Sequence, residues 1–333
     1  MHIPDGILEP SVQAVTGVVA AGAIGFSLWK LRGSLEDRTA PLIGIMAAGI
    51  FAGQMVNYPL PLLGVSGHLM GGVLAAAVLG PWGAVVALAN VLIVQCFLYA
   101  DGGPASLGAN VFNMGLIGGV IGYAIYDPLR RKIGGPRGAV IASVLASWFV
   151  IPLSALAFSI ELSWGGQYAF SQVASLMLFY HVFIGIGEAA ITGMVVAWIA
   201  RVRPDLLYGA NTVHRPAAHI GRTILAGLAV AASVAVFLAP LASQAEDGLE
   251  AVGEESRIGF NTQAVSFPAP FPDYEMPASA EVATEGAGQG GMNWAFLVTG
   301  GLGILGSLVT FVMAVGLSHS VQVGAVAERP HAA

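Results

Sequence analysis

Charge is what this sequence has least of. Asp, Glu, Lys and Arg make up 10% of its 333 residues against 56% hydrophobic ones, and the mean hydropathy is +0.77. That balance excludes a water-soluble globule and places the chain in a bilayer. Cys96 is the single cysteine, which excludes a disulfide framework and a cysteine-rich metal cage. Any metal must then be held by nitrogen or oxygen. Lysine occurs twice, at Lys30 and Lys132, and no G-x-x-x-x-G-K-[ST] phosphate loop is present, so the chain cannot supply ATP hydrolysis itself. No H-E-x-x-H pair occurs either, and no nucleophile-and-base pattern or nucleic-acid motif. The reading is of a membrane protein that is not an enzyme, with no cofactor and no nucleic-acid partner.

What is abundant is apolar sequence. Nine stretches stand out, at residues 12–31, 42–60, 68–79, 84–100, 107–125, 139–158, 174–200, 223–241 and 294–317. Most approach the roughly 20 residues that cross a hydrocarbon core as helix. The third, which begins at His68, is short and flanked by glycine. A short or broken segment at membrane depth is tolerated where protein or a cavity covers it, which makes His68 the natural place to look for a buried site.

The basic residues set the expected orientation. Lys30, Arg32 and Arg38 follow the first stretch, Arg130, Arg131, Lys132 and Arg137 the fifth, Arg201, Arg203, Arg215 and Arg222 the seventh, and Arg329 the ninth. With nine crossings all of these fall on one side, and only Arg257 of the 13 basic residues falls on the other. Met1 is then expected outside and the C-terminus in the cytoplasm.

The chain starts "MHIPDG". A secretory signal needs basic residues ahead of its apolar core, whereas here Asp5 and Glu9 come first and Lys30 comes after it. Met1 is therefore expected to be the mature terminus, retained because His2 is large. Its α-amine, the His2 backbone nitrogen and an imidazole nitrogen of His2 can close two fused chelate rings, of five and six atoms, around one ion. Three nitrogens in a plane with a fourth to complete the square favour Ni(II) or Cu(II). Pro4 restricts Ile3 to extended geometry and Gly6 permits a reversal, so the terminus could fold back into the bundle as a plug. Of seven histidines, His214 and His219 lie in a basic loop and His319 and His331 in the tail. His68 and His181 remain as the fourth donor, and His68, in "GVSGHLMGG", is preferred.

Four segments, "MHIPDG", "SGHLMGG", "DGGPASLGANVFNMG" and "IGIGEAAIT", occur in order over residues 1–205. They resemble the substrate-binding membrane component of cobalt/nickel energy-coupling-factor transporters, the CbiM/NikM family. The resemblance implies a metal held by Met1, His2 and His68, and transport driven by separate ATP-binding-cassette ATPase subunits through a transmembrane coupling subunit. It implies an integral, multi-pass protein of the prokaryotic cytoplasmic membrane, all-α, with a seven-span helical core, an inserted N-terminal plug and an added two-span hairpin. Nickel is preferred over cobalt because planar nitrogen donors and a deprotonated amide suit it. The runner-up, a secondary ion-coupled metal or small-solute transporter, predicts intramembrane charges along a path, for which Glu188 alone is a poor candidate.

Other polar residues at membrane depth are candidates to support the site: Ser66, Gln95, Asn110, Asn113, His181 and Glu188. Glu188 lies two helical turns beyond His181 and could orient a histidine or tie helices together. After residue 205 the chain changes character. A polar connection at 206–222 leads to a unit at 223–333, whose outer loop, about 242–293, carries nine acidic residues between Glu246 and Glu285. This hairpin resembles the small accessory subunit of the same transporters. "AEDGLEAVGEE" and "PFPDYEMP" carry the likeness, with Glu246 in place of a common Pro. The loop is expected either to be simply solvated or to control the plug, in which case deleting 242–293 changes uptake while leaving a formed site intact.

Overall fold

The computed structural model describes residues 2–32, 39–209, 220–254, 267–276 and 294–327. Within them the chain is an all-α polytopic membrane protein. The helices are α1 (Pro10–Leu31), α2 (Thr39–Gln54), α3 (Gly72–Tyr99), α4 (Leu107–Ile133, π-helical over Val111–Ile121), α5 (Gly135–Ser163), α6 (Phe170–Val202), α7 (Ile220–Phe237), the short α8 (Gly248–Glu254) and α9 (Trp294–Ala327). Seven stretches among the described residues are long and apolar enough to cross a membrane, and α2 is a shorter apolar helix. The outward faces of α1 and α7 are apolar, with Val18 74% and Leu225 72% exposed. A lipid-facing surface is expected to look like this.

Two of the nine apolar stretches need correction. The stretch at 42–60 stops being helix at Gln54, because Pro59 and Pro61 deny the backbone donors a helix needs. Instead β1 (Tyr58–Leu60) pairs antiparallel with β2 (Val65–Gly67), Tyr58 opposite Gly67. His68 is thus not inside a span. It stands in the irregular chain between β2 and α3.

The stretches at 68–79 and 84–100 fall in one element, α3, but they run in opposite directions. Gly80 adopts φ 74°, ψ 174°, followed by Pro81. In a straight helix Gly72 and Ala84 would lie about 18 Å apart. Yet a Cβ on Gly72 would sit 2.5 Å from Gly118, and one on Gly119 would sit 3.1 Å from the Cβ of Ala84. Moving from Gly72 to Val73 shifts the neighbour from Gly118 to Gly122, whereas moving from Ala84 to Leu88 shifts it from Gly119 to Gly115. So α3 is a hairpin of two unequal limbs, 72–79 and 81–99.

The hairpin's tip is closed by the segment after α6. Pro81 has no N–H to give the carbonyl four residues back, that of Ala77. The Tyr208 N–H donates to it instead, at 2.9 Å. Arg130 holds this closure, donating to the Tyr208 carbonyl and to Asp127.

The second unit packs on α2. A Cβ on Gly44 would meet Phe311 and Val315, and Gly303 lies against Ala235 and Met55. Tyr99, at the end of α3, donates its hydroxyl to the Leu302 carbonyl at 2.8 Å.

Candidate metal centre

Residues 2–9 fold back into the bundle. Ile3, 1% exposed, forms a small core with Ile7, Leu8, Val12, Ala109, Phe158 and Met177. Burying one such aliphatic side chain contributes roughly 1.5–3 kcal/mol. The backbone of the plug is gripped as firmly. Ile3 N–H donates to Asn110 Oδ1 (2.8 Å), while Asn110 Nδ2 (3.1 Å) and Gly103 N–H (3.0 Å) donate to the Ile3 carbonyl. Ser106 N–H donates to the Asp5 carboxylate and its hydroxyl to the Pro4 carbonyl. Gly103 is glycine because a Cβ there would strike Asp5.

This grip carries His2 onto His68. The two imidazole rings stack with centroids 5.0 Å apart and planes 16° from parallel. The plug thus brings the two imidazoles together at one place. His2 Nδ1 lies 3.0 Å from Asp101 Oδ1 and Nε2 lies 3.2 Å from Gln95 Oε1, while His68 Nδ1 lies 3.0 Å from the Leu69 carbonyl. Burial pushes both imidazoles down from 6.5 to about 3, which keeps them neutral at physiological pH, as metal ligation requires. Met1 lies outside the described residues.

The other candidates surround this pair in different roles. Glu188 does not reach His181. Its two carboxylate oxygens accept the N–H groups of Met70 (2.6 Å) and Gly71 (3.0 Å), and Gln54 donates to the Met70 carbonyl at 3.0 Å. The peptide two residues after His68 is thereby fixed from both sides. Ser66 turns away from the rings: its N–H donates to the Glu246 carbonyl and its hydroxyl to that of Ala245. Asn113 donates to Glu161 at 2.8 Å. His181 Nδ1 donates to the Met177 carbonyl at 2.8 Å, and with His68, Ser154 and Asp247 it borders a cavity of about 30 Å³, room enough for water. Among the described residues no group of three or more His, Cys, Asp and Glu side chains is arranged to hold an ion.

Sequence reasoning missed Asp101, Asp247 and Tyr274. Asp101 had a signal, since it is an acidic residue among glycines at the end of an apolar stretch. Asp247 and Tyr274 come from the accessory loop. Asp247 pairs with Ser66 as an isolated parallel bridge, and Leu249 and Val252 of α8 join the core around Ile3.

Comparison with known proteins decides the family. Residues 2–206 match the model of the cobalt uptake substrate-specific transmembrane region, CbiM, and residues 221–322 match the PDGLE domain. The chain belongs to the CbiM family, fused to an accessory PDGLE unit. A putative fused nickel transport protein NikMN of Archaeoglobus fulgidus is 38% identical over 209 residues, which are 62% of this chain and 68% of that one. The fused nickel transport protein NikMN of Rhodobacter capsulatus is 33% identical over 237 residues, 66% of this chain and 67% of that one. A crystal structure of a transition metal transporter superposes with a TM-score of 0.55 at 33% identity, covering 61% of this chain and 93% of that one. The CbiM family transports transition metals, nickel or cobalt, and this member is an integral, multi-pass membrane protein.

Proposed function

We propose that this CbiM-family chain captures Ni(II), in preference to Co(II), and is the substrate-binding component of an ATP-driven energy-coupling-factor importer. The observation that carries the reading is the buried plug that stacks His2 on His68. In this reading the ion is held by the Met1 amine, the His2 backbone nitrogen, His2 Nδ1 and His68. The first three are consecutive donors of two fused chelate rings, and the fourth completes a plane of nitrogens that suits Ni(II). Residues 1–205 form the metal-binding part, 206–222 the link and 223–333 the accessory part.

Energy comes from separate ATPase subunits through a transmembrane coupling subunit that meets the cytoplasmic ends of the helices, where Arg130 closes the α3 hairpin. The protein sits in the prokaryotic cytoplasmic membrane with Met1 outside and the C-terminus in the cytoplasm. Because the two limbs of α3 run in opposite directions, each counts as a passage of the chain. Counted so, with the shorter α2, the described helices give the nine passages that align the basic residues on one side.

The test is titration of Ni(II) and Co(II) into the purified intact protein, alongside His2→Ala, His68→Ala and a version with one residue added before Met1. Stoichiometric binding that all three changes abolish, with Ni(II) the tighter ion, is the expected result. Binding that survives the added residue removes the amine from the ligand set.

A further inference from the structure

Tyr274 belongs to the accessory part, yet its hydroxyl ends beside the cargo site. The O–H donates to Asp101 Oδ2 at 2.8 Å, and the other oxygen of the same carboxylate lies 3.0 Å from His2 Nδ1. Two contacts and a local backbone conformation put it there. Phe271 N–H donates to the Leu98 carbonyl at 2.9 Å, occupying one of the carbonyls that a helix end leaves open. The Tyr274 ring stacks on Tyr99, with centroids 4.4 Å apart and planes 19° from parallel. Asp273 and Tyr274 both adopt positive φ, 53° and 60°, which residues other than glycine rarely do. A backbone strained at two successive residues, ending in a hydroxyl on a part-buried carboxylate, is a pattern that accompanies a functional constraint.

The contact bears on loading because of which nitrogen it holds. The six-membered chelate ring runs through His2 Nδ1, the nitrogen that faces Asp101. One nitrogen cannot face the carboxylate and an ion at once, so loading through Nδ1 must first part it from Asp101. How readily Asp101 gives way depends on what grips its second oxygen. We infer that Tyr274 is a positioning residue for the cargo site: acting through Asp101, it holds the His2 ring turned toward the carboxylate and slows capture of the ion. The accessory part thereby contributes a side chain to the kinetics of loading rather than only covering the site. This rests on the proposed role of His2 Nδ1 as ligand.

The experiment is stopped-flow binding of Ni(II) ion to the full chain in detergent, comparing the parent with Tyr274→Phe, Asp101→Asn, the double variant and Phe271→Leu. Tyr274→Phe removes one oxygen and keeps the stack on Tyr99. It is expected to raise the association rate about five-fold or more while the dissociation rate and the visible absorption of bound Ni(II) stay unchanged. In the double variant it is expected to add nothing to Asp101→Asn. Phe271→Leu, which alters packing in the same segment but not the hydroxyl, is expected to leave the association rate within two-fold. Equal rates for the parent and Tyr274→Phe, effects that add in the double variant, or a Phe271→Leu effect as large as that of Tyr274→Phe would overturn the inference. Failure of the underlying site reading shows separately, as His2→Ala binding Ni(II) with the parent's spectrum.

Discussion

Asn110 does for the plug what a neighbouring strand does for a strand. It accepts from the Ile3 N–H and donates to the Ile3 carbonyl, so one side chain satisfies both main-chain groups of a buried residue. Replacing it with Leu leaves the Ile3 N–H without that acceptor, whereas the carbonyl keeps Gly103. Leaving one buried donor unpaired costs about 1–3 kcal/mol. Docking of the plug and metal binding share this equilibrium, so Asn110→Leu is expected to weaken Ni(II) affinity roughly ten- to a hundred-fold without loss of helix content; calorimetric titration and far-ultraviolet dichroism check the two halves. At this scale the sequence was partly readable. The polar residues at membrane depth stood out because each needs a partner there, and the odd terminus pointed to His2. Their partners did not stand out, since Ile3 and Asn110 are 107 residues apart and no local pattern encodes the contact. Glu188 is the instructive case: two turns from His181 on one helix face, it binds instead the backbone amides at Met70 and Gly71 on another element.

At the scale of elements the decisive feature is the reversal in α3. The short apolar stretch at 68–79 and the full one at 84–100 are separated only by residues 80–83, Gly80 and Pro81 among them. Gly80 sits at φ 74°, ψ 174°, a region that residues with a Cβ scarcely enter. A Cβ there would also lie 2.7 Å from the Tyr208 ring. Gly80→Ala therefore meets strain and overlap together and is expected to cost about 2–4 kcal/mol, seen as a clear fall of the melting temperature in detergent. Gly22→Ala, in α1 where a Cβ meets nothing within 4 Å, is expected to leave it unchanged or slightly raised. Sequence separated the two stretches correctly and gave the shorter one its unusual character. It placed His68 inside the short stretch, whereas β1 and β2 end just before that residue, because a three-residue strand leaves too little pattern to see. The closure of the tip by Tyr208 was equally hidden, although Pro81 itself announces that the Ala77 carbonyl needs a donor from elsewhere.

At the scale of the whole molecule, two units that match separate families behave as one site. Helix association within a membrane is not driven by burial from water, because lipid tails are as apolar as the helices, and close backbone approach takes its place. The contact of α9 with α2 and α3 is built this way. Gly306 lies so close to the Phe51 ring and the Tyr99 hydroxyl that a Cβ has no room, and Gly44 accommodates Phe311 and Val315. Beyond the helices, the accessory loop inserts Leu249 and Val252 beside Ile3 and lays its backbone on Ser66. The acidic composition of that loop suggested a solvated segment above the site. The described portions instead dock through apolar side chains and main-chain bonds, which net charge cannot reveal. If these contacts rather than the connecting chain hold the units together, continuity through residues 210–219 is dispensable. Residues 1–209 and 220–333 produced as two chains in one cell are then expected to copurify and to bind Ni(II) with the parent's stoichiometry. Gly306→Val, which forces a branched side chain into the contact with Phe51, costs about 1–3 kcal/mol and is expected to lower the copurified fraction of the split protein by about ten-fold. In the unsplit chain the same substitution is milder, because the covalent link raises the effective concentration of the hairpin. Equal recovery of the split halves with and without Gly306→Val would show that the loop, and not the α9 contact, is the main attachment.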